Sequence, residues 1–186
     1  TAGASLGSLT VQVTDAGGNL VTTATNSITL ALGGGTAGAQ LRGTVVASAV
    51  NGVATFTGLS VDSAGSGYVL AASAAGLAGG AGAAFAIQAA PPSRLTFMVQ
   101  PSAVTAGVAM APSVVVTIQD SLGNTATSST QAIALAIGSN PGSATLGGTP
   151  TISASAGLAT FTNLRLNRSG TGYTLMAGAS GVTGAT

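Results

Sequence analysis

The sequence predicts an all-β chain of two tandem β-sandwich modules, spanning 1–90 and 91–186. Three observations predict it: an internal repeat without gaps, apolar residues recurring at every second position, and Gly- and Asn-rich clusters between those runs. No window carries an apolar stripe of period 3.6 with helix caps.

The repeat sets the organisation. Displaced by 105 positions, the sequence meets itself: Asp15, Gly18 and Asn19 fall on Asp120, Gly123 and Asn124. Ala54-Thr55-Phe56-Thr57 falls on Ala159-Thr160-Phe161-Thr162, and Leu59 on Leu164. Gly65, Gly67, Tyr68 and Leu70 fall on Gly170, Gly172, Tyr173 and Leu175. A unit of this length is too long for a solenoid turn and suits a sandwich. Ala89-Ala90-Pro91-Pro92-Ser93 breaks two strand-like runs and reads as the linker.

The strands follow in order. Leu9, Val11 and Val13 alternate with Thr10, Gln12 and Thr14, and Val114, Val116 and Ile118 match them in the second unit. Ile28, Leu30 and Leu32 pair with Ile133, Leu135 and Ile137 in the same way. Ala54 and Phe56 alternate, then Leu59 and Val61 take the opposite phase, which predicts a bulge or bend. Tyr68, Leu70 and Ala72 follow, then Phe85 and Ile87, then Leu95, Phe97 and Val99. The ends are out of phase with the unit. Arg94–Gln100 opens the second module with a strand that the first lacks, and Ala83–Gln88 closes the first with a strand that the second lacks. The chain therefore reads as a window on a longer array, or as one in which neighbouring chains supply strands. It opens without an initiator Met or a signal peptide.

Charge narrows the function classes. Four Arg and three Asp are the only formal charges, 4% of residues, where soluble domains carry about 25%. Such a surface predicts packing against copies of itself or neighbouring repeats, or a coat of O-linked glycans on its many Ser and Thr. A net charge of +1 leaves no footprint for nucleic acid. Ala-rich stretches are broken by Gly and Pro, so no membrane insertion is expected. No Cys means no disulfide or thiolate, and no Lys means no Lys–Asn cross-link. With His and Glu also absent, no base stands ready for a Ser nucleophile and no carboxylate pair for acid–base work. The chain is expected to be no enzyme and to need no cofactor.

Val11-Gln12-Val13-Thr14-Asp15-Ala16-Gly17-Gly18-Asn19 and Val116-Thr117-Ile118-Gln119-Asp120-Ser121-Leu122-Gly123-Asn124 resemble the strand-plus-turn signature of bacterial immunoglobulin-like repeats. These are the invasin- and intimin-type modules of large surface or fibre proteins. Gly52-Val53-Ala54-Thr55-Phe56 through Leu59, then Gly67-Tyr68 and Leu70, look like the later half of that module. The resemblance implies Greek-key immunoglobulin-like sandwiches, a secreted or cell-surface location and a stalk role, with binding left to tip domains. The sparse charge departs from many such relatives.

Candidate sites are few. Asp15, Gly18 and Asn19, with Asp120, Gly123 and Asn124, read as structural turns: Asp accepts N–H bonds within its own turn, and Gly-Asn supplies φ > 0. Asp15 and Asp120 are weak calcium candidates, since one carboxylate per module is thin for a hard cation. Tyr68 and Tyr173, after Gly-x-Gly, read as structural tyrosines with buried rings and hydroxyls on nearby backbone. Arg42, Arg94, Arg165 and Arg168 are scattered, the last two forming a small basic spot, and Asn167-Arg168-Ser169 matches the N-glycosylation pattern. The function expected is a structural repeat of an extracellular bacterial stalk, fibre or filament, self-assembling by lateral packing or strand donation. The alternative is a binding module of an adhesin that contacts a host, a surface or a polysaccharide.

Overall fold

The alternating runs become strands, because burying every second side chain on a pleated sheet removes apolar surface from water while the ladder satisfies the backbone. The computed structural model describes residues 1–101 and 103–186, and no helix occurs among them. The chain divides between Gln88 and Ala89 into units Thr1–Gln88 and Ala89–Thr186.

The first unit runs β1 (Leu9–Gln12), β2 (Ser27–Gly34), β3 (Leu41–Arg42), β4 (Val46–Ser48), β5 (Val53–Phe56), β6 (Ser60–Val61), β7 (Gly65–Ala74), β8 (Gly80–Ala81) and β9 (Phe85–Ile87). All pairing between these strands is antiparallel: β1 with β5, β3 with β6, and the order β4-β2-β7-β8 with β9 also on β7. Val13, Ile28, Leu30, Phe56 and Leu59 bury their side chains in one cluster, and Val61, Tyr68 and Ile87 in another.

The second unit runs β10 (Arg94–Val99), β11 (Val114–Gln119), β12 (Ala132–Ile137), β13 (Leu146–Gly147), β14 (Thr151–Ser153), β15 (Leu158–Phe161), β16 (Arg165–Leu166) and β17 (Leu175–Gly178). Its sheets are β10-β11-β15, β14-β12-β17 and β13-β16, again antiparallel between strands. One core joins Leu95, Val116, Ile118, Ile133, Phe161 and Leu164 from the facing layers. Each unit thus has antiparallel sheets around an aliphatic core, the layering of a β-sandwich.

The pairing registers are displaced by the same 105 positions as the sequence. Leu9 lies opposite Phe56 and Val114 opposite Phe161; Leu41 lies opposite Val61 and Leu146 opposite Leu166. The phase change after Phe56 is a change of sheet, not a bulge within one strand. β5 pairs with β1 and β6 with β3, and the chain turns between them at Gly58, whose φ is +70°.

Two tight hairpins join β4 to β5 and β14 to β15, and one of them carries a strong sequence signal. Asn51 and Gly52 take φ of 52° and 81°, and Val50 and Val53 exchange both backbone hydrogen bonds across them. This is the two-residue primed turn that Asn-Gly favours. The second unit makes the same turn with Ala156-Gly157, φ 49° and 76°, where the sequence carries no such signal.

Candidate functional site

The Asp turns are closed on themselves. In the first, Asp15 Oδ1 accepts N–H bonds from Gly17 (2.9 Å) and Asn19 (2.8 Å), while the Asn19 side-chain amide reaches Oδ2 at 3.1 Å. In the second, Asp120 Oδ1 accepts from Leu122 (2.9 Å) and Asn124 (2.8 Å), and the Asn124 amide reaches Oδ2 at 2.9 Å. Gly18 and Gly123 supply φ of +83° and +92°, whereas neither Asn lies at positive φ. The expectation that Gly-Asn jointly supplies left-handed backbone is corrected here. The Asn is there to hold the carboxylate with its amide and its backbone N–H.

These donors explain the acidity. The Asn19 N–H, then its side chain, hold the Asp15 carboxyl below its ordinary value. Burial would raise Asp120, but the Asn124 side chain and the N–H groups of Ala90, Asn124 and Leu122 outweigh it and lower it. N–H groups aimed at a carboxylate occupy the lone pairs that a hard cation would need. Among the described residues no three His, Cys, Asp or Glu side chains gather as a metal set.

The two turns differ in cover. Asp15 is exposed, while Asp120 is buried and takes a further N–H from Ala90 at 2.9 Å. The Pro-rich stretch read as a linker thus ties itself to the second unit.

Tyr68 is fully buried, and its hydroxyl donates to the Ser63 carbonyl at 2.9 Å. Its ring lies 5.8 Å from that of Phe85 on β9. A Cβ on Gly35 would overlap this ring, so the backbone passes there because the residue is Gly. Tyr173 makes the equivalent reach to the Arg168 and Ser169 carbonyls, at 3.3 and 3.4 Å, but is only half-buried.

Three of the arginines meet different partners. Arg42 pairs with Asp62 at 3.1 Å, Arg94 bonds the Gln119 side chain at 3.2 Å, and the Arg165 stem lies over Gly147. The Gln40 N–H first, then the Arg42 guanidinium, hold Asp62 below its ordinary value. Asn167 of the glycosylation tripeptide stands where Asp62 stands in the first unit. Its Oδ1 accepts the Thr145 N–H at 2.7 Å, as Asp62 Oδ1 accepts that of Gln40 at 2.9 Å. The sequence signal of a sequon therefore falls on a residue that braces a loop.

One groove of about 460 Å³ opens in the first unit, between Val11–Ala16 and Leu77–Gly80. Ile28, Ala72 and Ser73 also line it, with Asp15 and Ala16 of the Asp turn.

No family model matches the chain, and no curated protein matches it. Among solved structures it is similar to a β-glycosidase from Bacteroides vulgatus, at 13% identity and a TM-score of 0.45, over 86% of this chain and 20% of that one. It is also similar to a Parabacteroides merdae β-glucuronidase, at 12% identity and a TM-score of 0.40, over 87% and 20%. A Bacteroides uniformis β-glucuronidase gives 13% identity and a TM-score of 0.39 over the same shares. The chain spans a fifth of the length of each of these proteins.

Proposed function

We propose that the chain is a non-catalytic structural segment of an extracellular bacterial stalk, fibre or filament, built from two immunoglobulin-like modules of the invasin and intimin type. The observation that supports this reading is the coincidence of two registers: sequence and strand pairing both repeat at 105 residues. Repetition at the level of ladder partners suits a part whose use is length. Each sandwich acts as a stiff bead, and repetition sets the reach. The chemistry of the side chains agrees with a mechanical role. All three Asp are engaged in local turns and loops, and the chain has no His, Cys, Lys or Glu to act as base or nucleophile. A chain with 4% charged residues keeps little repulsion between copies, which favours close lateral packing.

Electron microscopy of the concentrated chain tests the reading. Thin filaments with an axial repeat near one module are expected. A chain that remains dispersed and monomeric at high concentration overturns self-assembly.

A further inference from the structure

The two units place different side chains at one corner of the same loop. In the first, the Asp62 carboxylate divides its oxygens: Oδ1 accepts the Gln40 N–H at 2.9 Å and Oδ2 the Arg42 guanidinium at 3.1 Å. In the second, Asn167 stands at the place of Asp62 and Gly147 at that of Arg42. The Asn167 side chain keeps the first contact and loses the second. Its Oδ1 accepts the Thr145 N–H at 2.7 Å, and its backbone N–H donates back to the Thr145 carbonyl at 3.3 Å. A backbone N–H is met only by an acceptor, so the amide is turned with its oxygen towards Thr145 and its nitrogen away. Among the described residues no hydrogen bond reaches Asn167 Nδ2.

Asn167 also begins Asn167-Arg168-Ser169, and no other Asn of the chain has a hydroxyl residue two positions on. All three residues are exposed, and they follow β16 in a bend that belongs to no strand. The cation that fills this corner in the first unit has crossed to the other strand. Arg42 lies opposite Ser60, whereas Gly147 lies opposite Arg165. The Arg165 stem covers Gly147, and no bond joins it to Asn167 among the described residues. The matching residues of the first unit, Asp62-Ser63-Ala64, have neither the amide nor a hydroxyl at the third place.

We propose that Asn167 Nδ2 is a glycosylation site, at which a sugar is attached through its anomeric carbon. The donor is a sugar activated as a diphosphate ester, and the catalyst is a glycosyltransferase that reads Asn-x-Ser. The bond from the anomeric carbon to the diphosphate oxygen breaks, and the diphosphate leaves with the electron pair. The bond from that carbon to Nδ2 forms, and one Nδ2 proton passes to a base of the transferase. The product amide still presents a carbonyl oxygen, so the brace to the Thr145 N–H survives the modification. The fold thus uses the one amide atom that the sugar leaves alone. The sugar brings bulk and hydration to a chain in which 4% of residues are charged. The site goes beyond the structural role proposed above and holds whether or not copies assemble.

The test uses the full folded chain, a purified glycosyltransferase of this specificity and a nucleotide-activated hexose. Intact mass is expected to rise by one hexose, and peptide mapping to place it on Asn167. Ser169→Ala and Asn167→Asp are each expected to take none. The second variant keeps an oxygen for the Thr145 N–H, as Asp62 does for that of Gln40, so its lack of reaction does not come from a lost brace. The Thr145 amide should exchange equally slowly in the bare and the glycosylated chain. Chain isolated from the cells that make it is expected to carry sugar on the same Asn. No hexose on the folded chain, with an Asn-x-Ser peptide glycosylated alongside as control, overturns the proposal. So does a hexose at another Asn, loss of Thr145 protection on modification, or a bare Asn167 in the protein from its own cells. None of these readouts needs filaments, so the site and the fibre fail separately.

Discussion

The two units share a register and differ in what covers it. Asp15 and Asp120 close the same turn with the same donors, yet only Asp120 is buried, because the segment from Ala90 to Arg94 lies on it. Tyr68 and Tyr173 send their hydroxyls to the carbonyl five residues back. Only Tyr68 is fully buried, because β9 brings Phe85 against it. The lesson is that the turn and the tyrosine are set locally, while their energetic weight is set by a strand from elsewhere in the chain. Each substitution below asks the same question of both units.

The largest difference is expected at the carboxylates. Asp120→Ala leaves the N–H groups of Ala90, Leu122 and Asn124 without their charged acceptor, in a buried place. The loss is about 3 kcal/mol for the second unit, since bonds to a charge are worth more than neutral ones. Asp15→Ala costs its unit less, because water replaces the lost acceptor at an exposed turn. Urea unfolding followed through amide resonances of each unit checks both. Equal losses would show that cover is irrelevant to the turn.

The tyrosines come next. Tyr68→Phe removes a 2.9 Å bond from a fully buried hydroxyl and leaves the Ser63 carbonyl without that donor, so about 1–2 kcal/mol is expected. Tyr173→Phe removes longer bonds at a half-buried ring and is expected to cost about 0.5 kcal/mol or less. The same unfolding measurement decides, and a reversed order would refute the role given to β9.

How much of this was legible in the sequence depends on the distance over which each feature is decided. The long strands were readable, because Ile28 and Leu30, or Val114, Val116 and Ile118, announce one face by alternation alone, and these residues are buried. Two-residue strands such as β3, β6 and β13 have no period to detect, and only their partners define them. The Asp turns were readable as turns, since donors and acceptor lie within four residues. The burial of Asp120 was not, since it depends on Ala90, thirty residues away. Asn167 shows the converse. A tripeptide pattern is visible locally, but the brace to Thr145 is not.

A smaller effect is expected at the hairpins, where one unit carries Asn and the other Ala in the left-handed region. An L-residue with a bare Cβ is strained there, while Asn tolerates it. Ala156→Asn is expected to stabilise the second unit by about 1 kcal/mol, and Asn51→Ala to destabilise the first by a similar amount. Thermal unfolding of the two variants checks the pair. Effects of the same sign would contradict the backbone account.

The smallest difference concerns acid. Asp15, Asp62 and Asp120 all have carboxyl groups lowered in the folded chain. A lowered folded value means that the unfolded chain takes up protons first as pH falls. Their contribution is therefore complete above the unfolded carboxylate range and lost below about pH 4. The first unit holds two of these groups and the second one, because Asn167 does the work of Asp62 without titrating. Acidification from neutral pH should thus weaken two braces in the first unit and one in the second. Asp62→Asn should make the first unit less sensitive to acid while keeping the acceptor for the Gln40 N–H, as Asn167 keeps one for Thr145. Both Asp15 and Asp62 keep contact with water, so screening limits the effect, and high salt should shrink the Arg42 part of it. Exchange rates of the Gln40 and Thr145 amides, followed through an acid titration, separate the two braces. The Gln40 amide should lose protection as Asp62 protonates, and the Thr145 amide should not. Parallel loss at both amides would mean that the loops open with the whole unit, and that the exchange of Asp for Asn has no bearing on acid stability.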